Sequence, residues 1–171
     1  IKKYFEAGVN QNLSNIKENL QIIASRGCPF RCTFCATTIY WGNTHRRRSP
    51  ENVIAEIDHL VNEYKIKELQ FTDDSLTADY EKATRIFQFL KERDYNLKWS
   101  TPNGINVCTL DEKILSLMKE SGCYEIRLAI ESGNQEILDK IIQKPVDLEH
   151  VRKVVNISKK LGITTSAFFA I

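Results

Sequence analysis

Hydrophobic and polar positions follow two rhythms along this chain, and the rhythms take turns. In four short stretches polarity flips at every residue. Leu69 and Phe71 oppose Gln70, Thr72 and Asp74; Leu97 and Trp99 oppose Lys98 and Ser100; Ile126, Leu128 and Ile130 oppose Arg127, Ala129 and Glu131; Thr164 and Ser166 share a face. A two-residue period marks β-strands. Between them the period lengthens to that of a helix, as in the stripe Val53, Ile54, Ile57, Leu60, Val61 and Tyr64.

The punctuation agrees with the rhythm. A first strand is predicted over residues 21–25, after a polar linker or strap at 1–20. Ser49-Pro50 opens a helix, with serine as cap and proline at the first helical position. A strand over 68–73 precedes a helix over about 79–93, and a third strand covers 97–101. Thr109-Leu110-Asp111-Glu112 reads as a capping box, with Gly122 just past the end of that helix. The fourth strand spans 125–131, with a short helix after it; Asp147 caps a helix ending at Gly162, and the fifth strand spans 163–171.

Strands that alternate with amphipathic helices pair in parallel through right-handed crossovers. The choice lies between an open doubly wound sheet and a (β/α) barrel. Strands buried on both faces read as unbroken apolar runs, and these do not. Their apolar faces are expected to meet the helices, and their polar faces must line something else. A splayed or partial (β/α) barrel with a wet, ligand-bearing interior fits better than an open sheet or a barrel filled by branched aliphatics.

Composition narrows the class. The chain has 171 residues, enough for one domain over 21–171, and a formal net charge of +2, which gives no reason to expect nucleic-acid binding. No apolar run approaches the roughly 20 residues that span a bilayer. Its five cysteines are an odd number with three in one loop. That is unlike a disulfide framework and fits a reducing, cytoplasmic compartment. The last run, Ser166 to Ile171, reads as a strand in mid-course, so a fragment of a longer protein is expected.

The three clustered cysteines carry the chemistry. Cys28, Cys32 and Cys35 stand at C-x3-C-x2-C spacing directly after the first strand. Three thiolates on one loop can hold three corners of an iron–sulfur cube and leave the fourth iron open, whereas electron-transfer clusters are closed by four cysteines. Zinc with His45 as fourth ligand is an alternative, although zinc sites favour paired C-x2-C units. A closed cluster would need Cys108 or Cys123; Cys123 is expected at the wrong end of its strand, while Cys108 is on the correct face. Ligands bind at the carboxyl ends of parallel strands. There the chain places Asp73 and Asp74, then Pro102-Asn103-Gly104, then Glu131-Ser132-Gly133.

Cys28-x3-Cys32-x-Phe34-Cys35 after a first strand resembles the signature of the radical S-adenosylmethionine (SAM) superfamily. Arg48-Ser49-Pro50-Glu51-Asn52-Val53, Phe71-Thr72-Asp73-Asp74, Leu110-Asp111-Glu112 and Ala129-Ile130-Glu131-Ser132-Gly133 resemble its branch that carries a cobalamin-binding domain before the radical domain. The resemblance implies a partial barrel of about five βα units, with the sixth strand and its glycine-rich adenine motif beyond Ile171. It implies a 4Fe–4S cluster on Cys28, Cys32 and Cys35, with SAM chelating the fourth iron, and Phe34 near the adenine. Asp73 and Asp74 stand where the family contacts the SAM amino group, with two acids in place of Gly-Gly-Glu. Asn103, Glu131 and Ser132 become further cofactor contacts, and Arg127 and Lys98 become candidates for the SAM carboxylate or an anionic substrate. The implied activity is reductive cleavage of SAM to a 5′-deoxyadenosyl radical that takes hydrogen from a small-molecule or biosynthetic substrate. The implied reaction types are cobalamin-dependent methyl transfer or rearrangement, with an electron donor such as flavodoxin or ferredoxin. A non-catalytic iron–sulfur carrier or a structural zinc module are the competing readings.

Simpler readings stand beside several of these. The run His45-Arg46-Arg47-Arg48 invites a phosphate or nucleic-acid site, but a solvated loop before a helix is favoured, with contact to a neighbouring domain a third option. Asp73 and Asp74 fit a turn, a metal site or an acid–base pair, and Glu131 fits an internal ion pair with Arg127.

Overall fold

The computed structural model describes residues 1–6, 16 and 18–170. Its elements run α1 (Lys2–Glu6), β1 (Asn19–Ile22), β2 (Ser25–Arg26), α2 (Thr37–Trp41), β3 (Arg46–Arg47), α3 (Pro50–Tyr64), β4 (Glu68–Phe71), α4 (Tyr80–Arg93), β5 (Lys98–Ile105), α5 (Glu112–Glu120), β6 (Cys123–Glu131), α6 (Leu148–Leu161) and β7 (Thr164–Phe169). Two single turns of 3₁₀ helix, Leu76–Ala78 and Val107–Thr109, and a π-helical turn, Ile137–Ile142, lie in the connections. Half of the expected linker at 1–20 lies outside the described residues, and β1 begins at Asn19, earlier than the sequence suggested.

Five strands form one sheet in the order β1-β4-β5-β6-β7, and every neighbouring pair is parallel. The spatial order never reverses. A doubly wound sheet must reverse its strand order to put helices on both faces; a sheet that only advances keeps its crossovers on one side. The helices accordingly pack in sequence, α3 on α4, α4 on α5 and α5 on α6. The opposite face is left free to curve around a lumen, so the fold is a partial (β/α) barrel.

The helix-facing side of the sheet is the core. Leu69, Phe71, Trp99, Ile126 and Leu128 are fully buried on it, against Val53, Ile57, Phe87, Ile114 and Met118. Trp99 anchors the centre. Its ring stacks on Phe87 at 4.9 Å, meets Phe71 edge-on at 5.3 Å, and donates Nε1–H to the Ser121 carbonyl at 3.0 Å. Such aromatic packing adds roughly 0.5–1.5 kcal/mol per pair beyond burial. Gly122 follows with φ +102, where a Cβ would lie 2.1 Å from the Leu97 carbonyl oxygen; only glycine fits between α5 and β6.

The caps match the sequence with one exception. Ser49, Asp79 and Asp147 each accept a backbone N–H from their helix's first turn. The helix α5, however, is capped by Asp111, which accepts from Ile114 N at 2.8 Å, and not by Thr109. Thr109 ends a 3₁₀ turn, and its hydroxyl is taken up by the Asn106 carbonyl and Thr77. The third strand is also longer than expected. It continues through Pro102-Asn103-Gly104, and the register shift between Thr101 and Ile105 spans the proline, which has no N–H to give the ladder.

The lumen side is polar. Tyr124 donates its hydroxyl to Glu68 at 2.6 Å near its amino-terminal end, and burial, reinforced by that carboxylate, pushes the phenol up to about 12. Arg127 sits beside Glu125 at 3.6 Å and donates to the Pro102 carbonyl at 3.4 Å. Among the described residues no helix is long and apolar enough to cross a membrane.

Trp99 yields the first test. Trp99→Ala should lower unfolding free energy in urea by roughly 3–5 kcal/mol. Trp99→Phe, which keeps the ring contacts and loses the hydrogen bond, should cost a fraction of that.

Candidate active site

The first predicted strand is split by a carboxylate. After Ile22 the chain leaves the sheet, and its backbone groups find partners elsewhere. Asp73, buried at the end of β4, accepts from Ala24 N at 3.1 Å, from Ser25 N at 2.5 Å and from Ser25 Oγ at 2.6 Å. Arg48 completes the seam, its guanidinium on the Ile23 carbonyl and its amide on the Ala24 carbonyl, both at 2.9 Å. Ser25-Arg26 can then pair with Arg46-Arg47 as a small antiparallel ribbon.

The cysteine loop starts one residue later. Gly27 turns it with φ +84, and a Cβ there would lie 2.3 Å from the Thr44 carbonyl oxygen. Its N–H goes to Asp74 at 2.9 Å. The far end is tied to the π-helical turn, with Thr33 donating from its amide to Ile142 O at 3.0 Å and from its hydroxyl to Ile141 O at 2.8 Å. Both ends of the loop are therefore anchored to residues that follow the carboxyl ends of β4 and β6.

Between the anchors the loop opens on a cleft of about 390 Å³. Cys28, Cys32, Cys35 and Phe34 line one wall, and Asp74, Asn103 and Lys144 stand among the residues across it. Burial pushes the Cys28 thiol up, opposed by the Phe30 amide and the Ser75 hydroxyl. Burial also pushes Cys32 up, opposed by the charge of Lys144. Ser75 Oγ is buried in this cleft with the Cys28 sulfur as its partner. No three His, Cys, Asp or Glu side chains among the described residues converge on a single-ion site. His45 is not among the residues lining this cleft, so the zinc alternative has no geometric support.

Three soft thiols on one loop fit a cluster, whose iron atoms are spread over several ångströms and need thiolates. Asp74, Asn103 and Lys144 along the same cleft fit a small chelating molecule on the remaining corner. Cys123 is fully buried at the first residue of β6, the end of the strand away from the loop. Cys108 is exposed and close enough to feel Cys28 and Cys32, so geometry keeps it in play.

The remaining expected site residues divide. Cys28, Cys32, Cys35, Phe34, Asp74 and Asn103 come together; Asn103 is braced by its amide on the Thr72 carbonyl at 2.8 Å. Asp73 does not join them, because both its oxygens are spent on the backbone at Ala24 and Ser25. Arg127 lines a separate small cleft with Glu125 and Tyr124. Lys98 is exposed at the start of β5, far along the strand from the loop. Ser132 is outside the cleft lining, its hydroxyl accepting from Asn134 N.

The expected pair of Glu131 with Arg127 is replaced by another. Glu131 takes Lys144 as partner, at 2.9 Å with side chains 13% and 7% exposed, while Arg127 turns to Glu125. Glu131 holds a φ of +74, rare for a residue with a side chain. Lys144 was missed because it lies in the connection after the π-helical turn, where no periodicity points inward. The signal available was a lone lysine two residues before apolar Val146.

Comparisons with known proteins agree with this geometry. The family model of the Radical SAM superfamily matches residues 22–171. The cytidylyl-2-hydroxyethylphosphonate methyltransferase of Streptomyces wedmorensis is 40% identical over 172 residues, covering 100% of this chain and 32% of that protein. An uncharacterized methyltransferase of Pyrococcus horikoshii is 35% identical over 150 residues, covering 88% and 32% respectively. The radical SAM methyltransferase TsrM from Kitasatospora setae, with tryptophan substrate and a SAM analog bound, matches with a TM-score of 0.80 at 18% identity, over 97% of this chain and 31% of that one. The cobalamin-dependent SAM radical enzyme OxsB, with aqua-cobalamin bound, matches with a TM-score of 0.74 at 19% identity, over 88% and 23%. These structural matches establish the fold. The chain spans 32% of the length of both curated relatives.

The buried pair gives a second test. Lys144→Met should destabilise the chain by roughly 3 kcal/mol, since it leaves a largely buried carboxylate without its partner. Adding Glu131→Gln should restore much of that loss in the same urea titration. A Lys144→Met variant as stable as the unmodified chain would show that the ion pair contributes nothing, and no recovery in the double variant would show that the unpaired carboxylate is not the source of the loss.

Proposed function

This chain belongs to the radical SAM superfamily, and from that premise we propose that it is the cluster- and SAM-binding core of a cobalamin-dependent methyltransferase. The observation that carries the reading is the convergence of three thiols from one anchored loop on a cleft walled by Asp74, Asn103 and Lys144. When bound, the cluster and SAM supply reductive cleavage of a carbon–sulfur bond, giving a 5′-deoxyadenosyl radical able to take hydrogen from substrate.

The chain's own residues do the positioning. Cys28, Cys32 and Cys35 hold the cluster as thiolates, so loading it displaces their protons. Asp74 is the carboxylate facing the cleft and would take up the SAM amino group, while Lys144, already balanced by Glu131, offers a cation to the SAM carboxylate. Phe34 and Phe168, both partly exposed at the cleft, would close over a bound adenosyl group and exclude water. Methyl transfer is favoured because both curated relatives above carry that activity in their names. The acceptor is a small biosynthetic substrate, cobalamin comes from a domain outside this chain, and electrons come from a flavodoxin or ferredoxin. A cytoplasmic setting suits five unpaired cysteines.

Anaerobic reconstitution with iron and sulfide, followed by electron paramagnetic resonance of the reduced protein, tests this. A 4Fe–4S signal that changes on adding SAM is expected. Alanine at Cys28, Cys32 or Cys35 should each abolish the signal, and Cys108→Ala should leave it intact. A signal indifferent to SAM and lost in Cys108→Ala would replace this reading with a closed electron-transfer cluster.

A further inference from the structure

A second cleft, of about 630 Å³, is lined by both strands of the β2–β3 ribbon and by none of the cysteines. We propose that it binds a phosphate ester, gripped by Arg26 and Arg46 beside the ring of Trp41. The reading is independent of the cluster and concerns residues that the radical chemistry leaves unused.

The argument begins with register. Arg26 and Arg46 are direct partners in the antiparallel ribbon. Directly opposed side chains share a face with Cβ atoms about 5 Å apart, and like charges there repel. Both guanidinium groups nevertheless converge on one ring, 5.9 and 5.4 Å from the centroid of Trp41. Attraction to the indole offsets part of that repulsion but neutralises neither charge.

The neighbouring arginines are already neutralised. Arg47 pairs with Asp79 at 3.2 Å and Arg48 with Glu56 at 2.6 Å. Glu56 is the one carboxylate lining the cleft, and it is committed to Arg48. Among the described residues Arg26 and Arg46 have no carboxylate at ion-pair distance; the contact of Arg46 is a 3.4 Å donation to the Trp41 carbonyl. Two uncompensated cations therefore face a cavity large enough for an organic ligand.

Chemistry selects the class. A guanidinium fork matches phosphate oxygens with two parallel hydrogen bonds, and two adjacent forks match a doubly charged phosphoryl group. Inorganic phosphate would leave most of the space empty, whereas pockets of about 300–1,000 Å³ hold drug-sized molecules. Ile23 and Trp41 supply apolar wall for the organic part, with Gln21 and Thr72 as neutral donors and acceptors. Of the three arginines in the run His45–Arg48, two pair with acids that brace the fold, and Arg46 is left for an anion. The ester could belong to a substrate or to a nucleotide-like cofactor, and the two are separable by experiment.

The test is calorimetric titration of the chain with pyrophosphate at low salt. Saturable binding is expected, weakening as salt rises. Arg26→Gln with Arg46→Gln should weaken it at least tenfold, the paired lysine variant should fall between, and Arg85→Gln, a remote charge loss of the same sign, should not change it. Circular dichroism establishes that each variant is folded. Cytidine monophosphate and hydroxocobalamin, which carries a phosphodiester, then compete for the site: displacement by the first assigns it to a nucleotide-bearing substrate, by the second to the cofactor. No saturation by pyrophosphate, equal binding by the glutamine variant, or competition by neither ester would overturn the proposal.

Discussion

One buried carboxylate decides where this protein keeps its cysteines. Asp73 accepts three hydrogen bonds from Ala24 and Ser25, and that contact pulls the chain out of the sheet immediately after β1. A buried carboxylate is costly without partners, and burial does push its carboxyl up. The bonds to backbone and hydroxyl are charge-assisted and oppose that shift. Without the contact, Ala24 N and Ser25 N would be left as buried orphans, and the simplest remedy would be a longer β1. The loop would then begin further from the strand ends. Adjacent Asp74 continues the same control by fixing Gly27.

The unidirectional strand order supplies the second constraint. Because the sheet only advances, all four crossover helices serve one apolar face, and the other face is released from core duty. Glu68, Gln70, Ser100 and Arg127 can occupy it, as no interior sheet face covered by helices would allow. The price of that polar lumen is internal pairing, seen in Tyr124 with Glu68 and Arg127 with Glu125.

These two constraints explain what could be read beforehand. Periodic signals survive in the sequence because every residue on a face repeats them, so the helices, the polar lumen and the parallel order were legible from stripes such as Val53 to Tyr64. The cysteine loop was legible from spacing. Long-range pairings were not. Asp73 and Asp74 look identical in sequence, yet one is consumed by backbone nearly fifty residues earlier, at Ala24 and Ser25, and the other faces the cleft. Arg127 and Lys144 compete for acids that strand alternation alone cannot rank, and the φ of Glu131 turns that carboxylate toward the loop after β6. Thr109 fits a capping box by pattern, but a 3₁₀ turn had already claimed its hydroxyl.

The two clefts are neighbours for a covalent reason. Arg26 and Cys28 are separated only by Gly27, so their Cα atoms lie within about 7 Å of each other. The positive φ at Gly27 turns the chain between them, leaving Arg26 on the ribbon beside Trp41 and Cys28 on the cysteine wall. Anything held by Arg26 would therefore be anchored next to the start of the cysteine loop, on a segment whose position both Asp73 and Asp74 already fix. An anion seated there would neutralise the opposed guanidinium groups and remove their repulsion across the ribbon. Occupancy of one cleft would thus stiffen the strand from which the other cleft is built.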